Sequence, residues 1–172
     1  YNSSDTRLPR NAIELMDHSR LADGVTLSRY PTRSTQIIST FSLWYIGMLH
    51  DYWLYRGDDA FIAGKLPGAR EILTFFGRYQ DTAGSVKDAP YWTFVDWANG
   101  EHWSMGSPPK GGDGCSAILD LQLLWAYEWA AEMEGRIGIK YYADAYRQKA
   151  AQLKQTIRRK YWSAQRLLYA DT

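Results

Sequence analysis

Ile37-Ile38-Ser39-Thr40-Phe41-Ser42-Leu43-Trp44-Tyr45-Ile46-Gly47-Met48-Leu49-His50-Asp51-Tyr52-Trp53-Leu54-Tyr55 is the stretch whose reading decides the fold. At 3.6 residues per turn it places apolar and aromatic groups on every side, and a helix of that kind is buried over most of its surface. Ser42, His50 and Asp51 interrupt it too often for a bilayer span, and no other apolar run is long enough for one. Gly57 stops the helix, and Asp58-Asp59 opens the next. Residues 59–79 carry Phe61, Ile62, Leu66, Ile72, Leu73, Phe75 and Phe76 on one side. They predict an amphipathic helix, with a kink or break at Pro67-Gly68.

The plan repeats. Residues 115–134 form a second nearly all-apolar helix, a Gly-marked turn follows at Gly135–Gly138, and residues 139–162 are amphipathic. Another helix, about 7–22, precedes the first unit, with Pro9 near its start and Asp23-Gly24 at its end. Repeated helical hairpins cover one another's apolar faces. Helices at 37–56 and 115–134 touch neighbours on several sides, whereas those at 7–22, 59–79 and 139–162 touch on one. That asymmetry predicts an all-α fold in which residues 1–172 form part of an (α/α)6 toroid, inner helices alternating with outer ones. Short strands or loops belong at one end, at Val25–Thr32 and Leu167–Asp171.

Between the two units lies Tyr91-Trp92-Thr93-Phe94-Val95-Asp96-Trp97-Ala98-Asn99-Gly100. It has no helical or strand period, and loops are usually polar. Two readings account for an aromatic loop around one carboxylate. In the first it is a sugar-binding wall, with rings stacking on pyranose C–H faces and Asp96 accepting hydroxyl protons. In the second it is a buried plug, with Asp96 capping a helix or pairing with an Arg. This loop and residues 30–41 both precede a buried helix, so they belong at the same end. Glu101–Gly114 follows as a long Gly- and Pro-rich connection.

Composition narrows the chemistry. The chain has 172 residues, 45% of them hydrophobic, enough for one packed domain. Aromatic residues make up 15%, with 8 Trp and 13 Tyr, which favours ring-stacking ligands. Net charge is +1, so no field draws in nucleic acid or an acidic membrane. Arg158-Arg159-Lys160 reads as a solvated helix face. Cys115 is the single cysteine and reads as a buried thiol, which excludes an internal disulfide. His18, His50 and His102 lack metal-ligand spacing, and no cofactor motif is present. The chain begins at Tyr1 without Met and reads as a segment of something longer.

Glycoside hydrolysis normally uses two carboxyl groups, one as acid and one as base or nucleophile. Asp96, Glu101 and Asp113 fall at the loop end. An aromatic cage around Asp96 would raise its pKa by desolvation; Glu101 and Asp113 read as solvated surface. His102 beside Trp103 is a candidate base, and Asp51 reads as paired within its helix. No second carboxylate is placed clearly beside Asp96, so binding is preferred over catalysis for it.

Ser28-Arg29-Tyr30-Pro31-Thr32, Phe41-Ser42-Leu43-Trp44-Tyr45-Ile46-Gly47-Met48-Leu49-His50-Asp51-Tyr52, Tyr55-Arg56-Gly57-Asp58 and Trp92-Thr93-Phe94-Val95-Asp96-Trp97 together resemble the α-L-rhamnosidases of glycoside hydrolase family 78. Leu168-Tyr169-Ala170-Asp171-Thr172 resembles that family's approach to its next hairpin. The resemblance implies an (α/α)6 catalytic domain that cleaves terminal α-L-rhamnose with inversion. It implies that the general acid lies upstream of this stretch and the base downstream, with neither carried here. It carries sugar contact onto Asp96 and Trp97, and further onto Trp92, Phe94, Tyr30 and Trp44. The implied partners are a rhamnose-containing glycan or glycoside and the rest of the catalytic domain. The implied location is periplasmic or secreted. The alternative is a non-catalytic carbohydrate-binding or structural helical-hairpin module. A partial toroid would expose apolar faces, so self-association of the isolated segment is expected.

Overall fold

The computed structural model describes residues 5–98, 100 and 102–170. Within them the apolar periodicities resolve into α1 (Arg7–His18), α2 (Ser39–Arg56), α3 (Asp59–Ala63), α4 (Leu66–Gly77), α5 (Ala117–Ile137) and α6 (Lys140–Tyr161). A two-stranded antiparallel ribbon closes the order, β1 (Trp162–Ser163) pairing with β2 (Leu168–Tyr169). Asp171 and Thr172, expected to extend that strand region, lie outside the described residues. Val25–Thr32 is loop rather than strand.

The expected single helix over 59–79 is two. Asp58 caps α3, its Oδ1 accepting the Phe61 N–H at 3.2 Å, and the helix ends at Gly64. The break therefore falls at Gly64-Lys65, before Pro67. Pro67 sits in the first turn of α4, where its missing N–H has no intrahelical partner to lose. α5 is also longer than expected. It runs through Gly135 to Ile137, because Gly135 leaves room for the Arg147 guanidinium of α6, which a Cβ would approach to 2.7 Å. α1 is shorter and ends at His18, with the Ser19 hydroxyl donating to the Met16 carbonyl at 2.6 Å.

α2 and α5 form the middle of the structure, each buried on all sides but one narrow stripe. They run parallel: Trp44 meets Trp125, and six residues on His50 bonds Glu132, with Nε2 to Oε2 at 2.9 Å. Gly47 makes the close approach possible, since a Cβ there would lie 2.9 Å from the Trp129 indole. α1, α3, α4 and α6 pack outside. One core runs through them, from Ile13 and Val25 through Leu49, Ile62, Leu66, Phe75, Leu123 and Tyr127 to Leu153 and Ile157.

Buried polar groups fix the packing. Arg70 of α4 donates to Glu134 of α5 through Nε at 2.7 Å and Nη2 at 3.0 Å. Glu134 also accepts the Ile139 N–H at 2.7 Å, so one carboxylate ties α4, α5 and the start of α6. At the other end Asp120, fully buried, accepts the Val86 N–H at 2.7 Å and the Tyr161 hydroxyl at 2.9 Å. Burial holds its pKa above the usual carboxylate range despite those hydrogen bonds.

Glu134 has a side chain only 1% exposed, so removing it strands the Arg70 guanidinium and the Ile139 amide. Glu134→Ala in the full-length protein is expected to lose about 3–5 kcal/mol of unfolding free energy, measured by urea titration. Glu134→Gln, which keeps an acceptor for Ile139, is expected to lose less; equal losses would remove the capping role.

Candidate aromatic sugar-binding site

The N-terminal ends of α2 and α5 lie at the same end of the helices, and the aromatic loop is built there. Its first half is fastened to the start of α2 by backbone. The Trp92 N–H donates to the Ile37 carbonyl at 3.4 Å, and the Ser39 N–H donates to the Trp92 carbonyl at 3.1 Å. Ile38 and Trp92 thereby form a parallel bridge. In the first turn of α2 the buried Thr40 hydroxyl donates to the Phe94 carbonyl. Upstream, the Tyr91 hydroxyl donates to Asp23 Oδ2 at 2.6 Å, and that bond holds the Tyr91 pKa above its usual value.

The second half folds back on the first. The Val95 N–H donates to the Gly106 carbonyl at 2.8 Å, and Trp92 Nε1 donates to the Met105 carbonyl at 2.8 Å. The Thr93 hydroxyl meets the Ser107 hydroxyl at 3.3 Å. Gly106 is required twice over: its φ is +74°, and a Cβ there would fall 2.3 Å from the Phe94 ring.

These ties bring Trp92, Phe94 and Trp97 together. Ring centroids stand 5.0 Å apart for Trp92 and Phe94, 5.2 Å for Phe94 and Trp97 and 6.1 Å for Trp92 and Trp97, all edge-to-face. Phe41, from the first turn of α2, adds a fourth ring, 6.0 Å from Phe94. Trp97 is 67% exposed, so the group is a surface and not a buried plug. Asp96 is exposed as well. The desolvating cage expected around it is not formed, because the rings pack against each other and leave the carboxylate outside. One of its oxygens accepts the Trp97 N–H at 2.7 Å, and the other has no partner among the described residues. That oxygen can accept a hydroxyl proton while a ring beside it stacks on a sugar face.

Trp44 lies elsewhere on the same helix end. It belongs to a second ring group, 5.9 Å from Trp125 and 5.8 Å from Trp129, and lies one turn after Phe41 on α2. Tyr30 joins neither group by a ring contact among the described residues. It sits, 40% exposed, on a loop closed by the Ser28 N–H donating to the Gln36 carbonyl at 3.0 Å, and a cis peptide links it to Pro31.

The other acids resolve differently. Asp113 is held rather than free. Its Oδ2 lies 2.6 Å from Lys160 Nζ and its Oδ1 accepts the Cys115 N–H, which keep its pKa below the usual range. Asp51, expected to be paired inside its helix, is on the exposed stripe of α2, with its side chain 64% accessible and 4.0 Å from His50. Glu101 lies outside the described residues, and His102 is exposed. Cys115 is buried. No group of three or more potential metal ligands occurs among the described residues. No described helix is long and apolar enough to cross a membrane.

Sequence reading missed Phe41, Thr40 and Gly106 as parts of the site. The signal for Phe41 was present, since Phe41 and Trp44 are spaced i, i+3 and share a helix face. Thr40 and Gly106 act through backbone ties that no local pattern reveals. Gly106→Ala is expected to detach the loop: Trp emission shifts and proteolytic cleavage within residues 95–106 speeds up, with about 1–3 kcal/mol of stability lost. Unchanged emission and cleavage would mean that Phe94 has room to move.

The family profile described as bacterial alpha-L-rhamnosidase 6 hairpin glycosidase domain matches residues 1–172. No curated protein matches the chain. A GH78 family rhamnosidase of Bacillus sp. GL1 shares the fold over 97% of this chain, with 22% identity and a TM-score of 0.81. A rhamnosidase from Klebsiella oxytoca, solved with rhamnose bound, shares it over 96%, with 22% identity and a TM-score of 0.75. The chain spans 17% of the first protein and 31% of the second. The match along residues 1–172, on a structure of repeated helical hairpins, shows that the chain belongs to the bacterial α-L-rhamnosidase six-hairpin glycosidase domain family.

Proposed function

We propose that the protein containing this segment hydrolyses glycosides of terminal α-L-rhamnose with inversion, and that the segment supplies walls of the substrate pocket. The observation that carries this reading is the aromatic loop fastened to α2, with Trp97 open to solvent and, beside it, one Asp96 oxygen without a partner among the described residues. Rings of Trp97, Trp92 and Phe94 present apolar area at the loop, and Trp44 presents more on the helix below. A deoxy sugar offers C–H faces and a methyl group to such rings and hydroxyls to the carboxylate. Tyr30 is assigned to the rim, on its own loop. Family membership supports a glycosidase, and the rhamnose-bound Klebsiella relative supports rhamnose as the sugar.

Inverting hydrolysis needs an acid and a base about 6.5–9.5 Å apart on opposite sides of the anomeric carbon. The resemblance assigns both to regions flanking this segment, so its contribution is orientation. A wall fixed before the substrate arrives lowers the entropy cost of holding the ring between acid and base.

Two measurements test the proposal. The full-length protein is expected to hydrolyse aryl α-L-rhamnosides, and Asp96→Ala is expected to lower kcat/KM about 10- to 100-fold, as for a hydrogen bond to a charged group. Wild-type kinetics in that variant would reduce Asp96 to a turn residue. The purified segment alone is expected to show no turnover of the same substrate, and activity there would place the acid and base inside it.

A further inference from the structure

α5 exposes one stripe, at helical spacing: Leu121, Trp125, Glu128 and Glu132. α2 does the same with Trp44, Met48 and Asp51. The helices run parallel, and the stripes meet where Trp44 and Trp125 pack edge-to-face at 5.9 Å and 63°. Trp125 is 48% exposed and Trp44 42%, so each ring keeps an open side. Behind them Trp129 lies 6.0 Å from Trp125 and 5.8 Å from Trp44, and is itself pressed against Gly47. The pair is a rigid platform.

The stripe changes character with depth. Trp44 and Trp125 lie toward the loop end, and the carboxylates Asp51, Glu128 and Glu132 lie farther along the helices, with the exposed Tyr55 one turn beyond Asp51 on α2. Glu132 is bonded to His50 at 2.9 Å, while Asp51 and Glu128 stay exposed. A face made to receive another helix would not carry exposed carboxylates, which are costly to bury. Rings followed by exposed carboxylates suit a wet surface that binds a polyhydroxylated ligand. The two ring groups share the loop end of α2. Trp97 meets Phe94, Phe94 meets Phe41, and Trp44 follows Phe41 on the same face of α2. Trp125 lies eight residues into α5, about 12 Å below its start at 1.5 Å per residue, so it lies deeper than the loop rings.

We propose that Trp125 is a substrate-contacting residue, the α5 contribution to the pocket floor on which the terminal pyranose lies. This inference rests on the proposed rhamnoside hydrolysis. The loop rings form the side of the pocket, and Trp44 stands in the corner between side and floor. The terminal sugar enters deepest, so it is the unit that reaches Trp125.

The test uses the full-length protein, with an aryl α-L-rhamnoside for kinetics and L-rhamnose for calorimetric binding. Trp125→Ala is expected to raise KM and weaken rhamnose binding by about tenfold or more, with Trp125→Phe recovering most of the loss. Thermal unfolding and far-UV circular dichroism of Trp125→Phe should match wild type. If the Ala variant does not fold, Trp125→Phe and Trp125→His carry the comparison, and a graded rise in KM from Phe to His supports the contact. Wild-type KM and rhamnose affinity in Trp125→Ala, while Asp96→Ala is impaired, would overturn the role of Trp125 and leave the rhamnoside reading standing. Failure of the wild-type protein to bind L-rhamnose or cleave any α-L-rhamnoside would overturn both.

Discussion

The structure depends on how closely α2 can approach α5. Gly47 faces the Trp129 indole at a separation that admits no side chain, since a Cβ would lie 2.9 Å from the ring. The helices are parallel, so they cannot be joined by a short turn, and the chain must travel through α3, α4 and the long connection between them. Both N-termini then fall at one end, and every loop that leads into a central helix gathers there. The same contact fixes the rotation of each helix about its axis. Phe41 and Trp44 on α2 and Trp125 on α5 reach the open stripe, while Leu43, Ile46, Leu49, Leu123 and Ala126 go to the core. Interiors this dense transmit small errors, so a shifted helix would misplace both stripes together.

Two kinds of structure meet at that end. The helices give rings whose positions are set by packing. The loop gives rings whose positions are set by backbone hydrogen bonds, through the Ile38–Trp92 bridge and the Val95–Gly106 pair. The loop carries the exposed Asp96, the proposed acceptor for a sugar hydroxyl, and a helix face buried in a core could not offer a solvated carboxylate. Function on loops held by a rigid frame is a common division of labour. Here the frame also contributes rings, Phe41 to the loop group and Trp44 to the pair with Trp125.

The hairpin plan was legible because periodicity reports burial. Apolar residues all round 37–56 and 115–134 could only mean central helices, and the one-sided patterns of α4 and α6 only flanking ones. The ends of helices were less legible. Pro67 looked like a breaker but starts α4, because a proline is harmless in a first turn, and the real break at Gly64-Lys65 carries a weaker signal. Gly135 looked like a stop but is a clearance for Arg147, a contact made across 12 residues that no local window contains. At the site, the aromatic loop was visible as an anomaly of composition. The degree of exposure of Asp96 was not, because whether rings enclose a carboxylate or stack beneath it is decided by the turn at Gly106. Asp113 is exposed, as read, but its ion pair was not legible because its partner, Lys160, lies at the end of another helix.

The two flanks of the helical stack differ from the open stripe in a way that bears on the whole domain. Between α1 and α2 a groove of about 400 Å³ is lined by Pro9, Ala12, Ile13, Met48, Tyr52 and Tyr55 together with Asp51, shared with the stripe, and Arg56. Between α5 and α6 a groove of about 430 Å³ has Ala131, Ala150 and Ala151 on its floor and Arg147 and Lys154 at its edge, with Glu128 and Glu132 where it meets the stripe. Grooves of small and aromatic side chains between neighbouring helices receive the ridges of a further helix. They lie on opposite edges of the stack, as they must if hairpins continue in both directions around a ring. The stripe between them has exposed rings and carboxylates and no such groove floor. A chain that closed all three surfaces in the same way would have made them alike. Their difference sets the grooved edges, which suit packing against further helices, apart from the open stripe, the surface proposed to face the sugar.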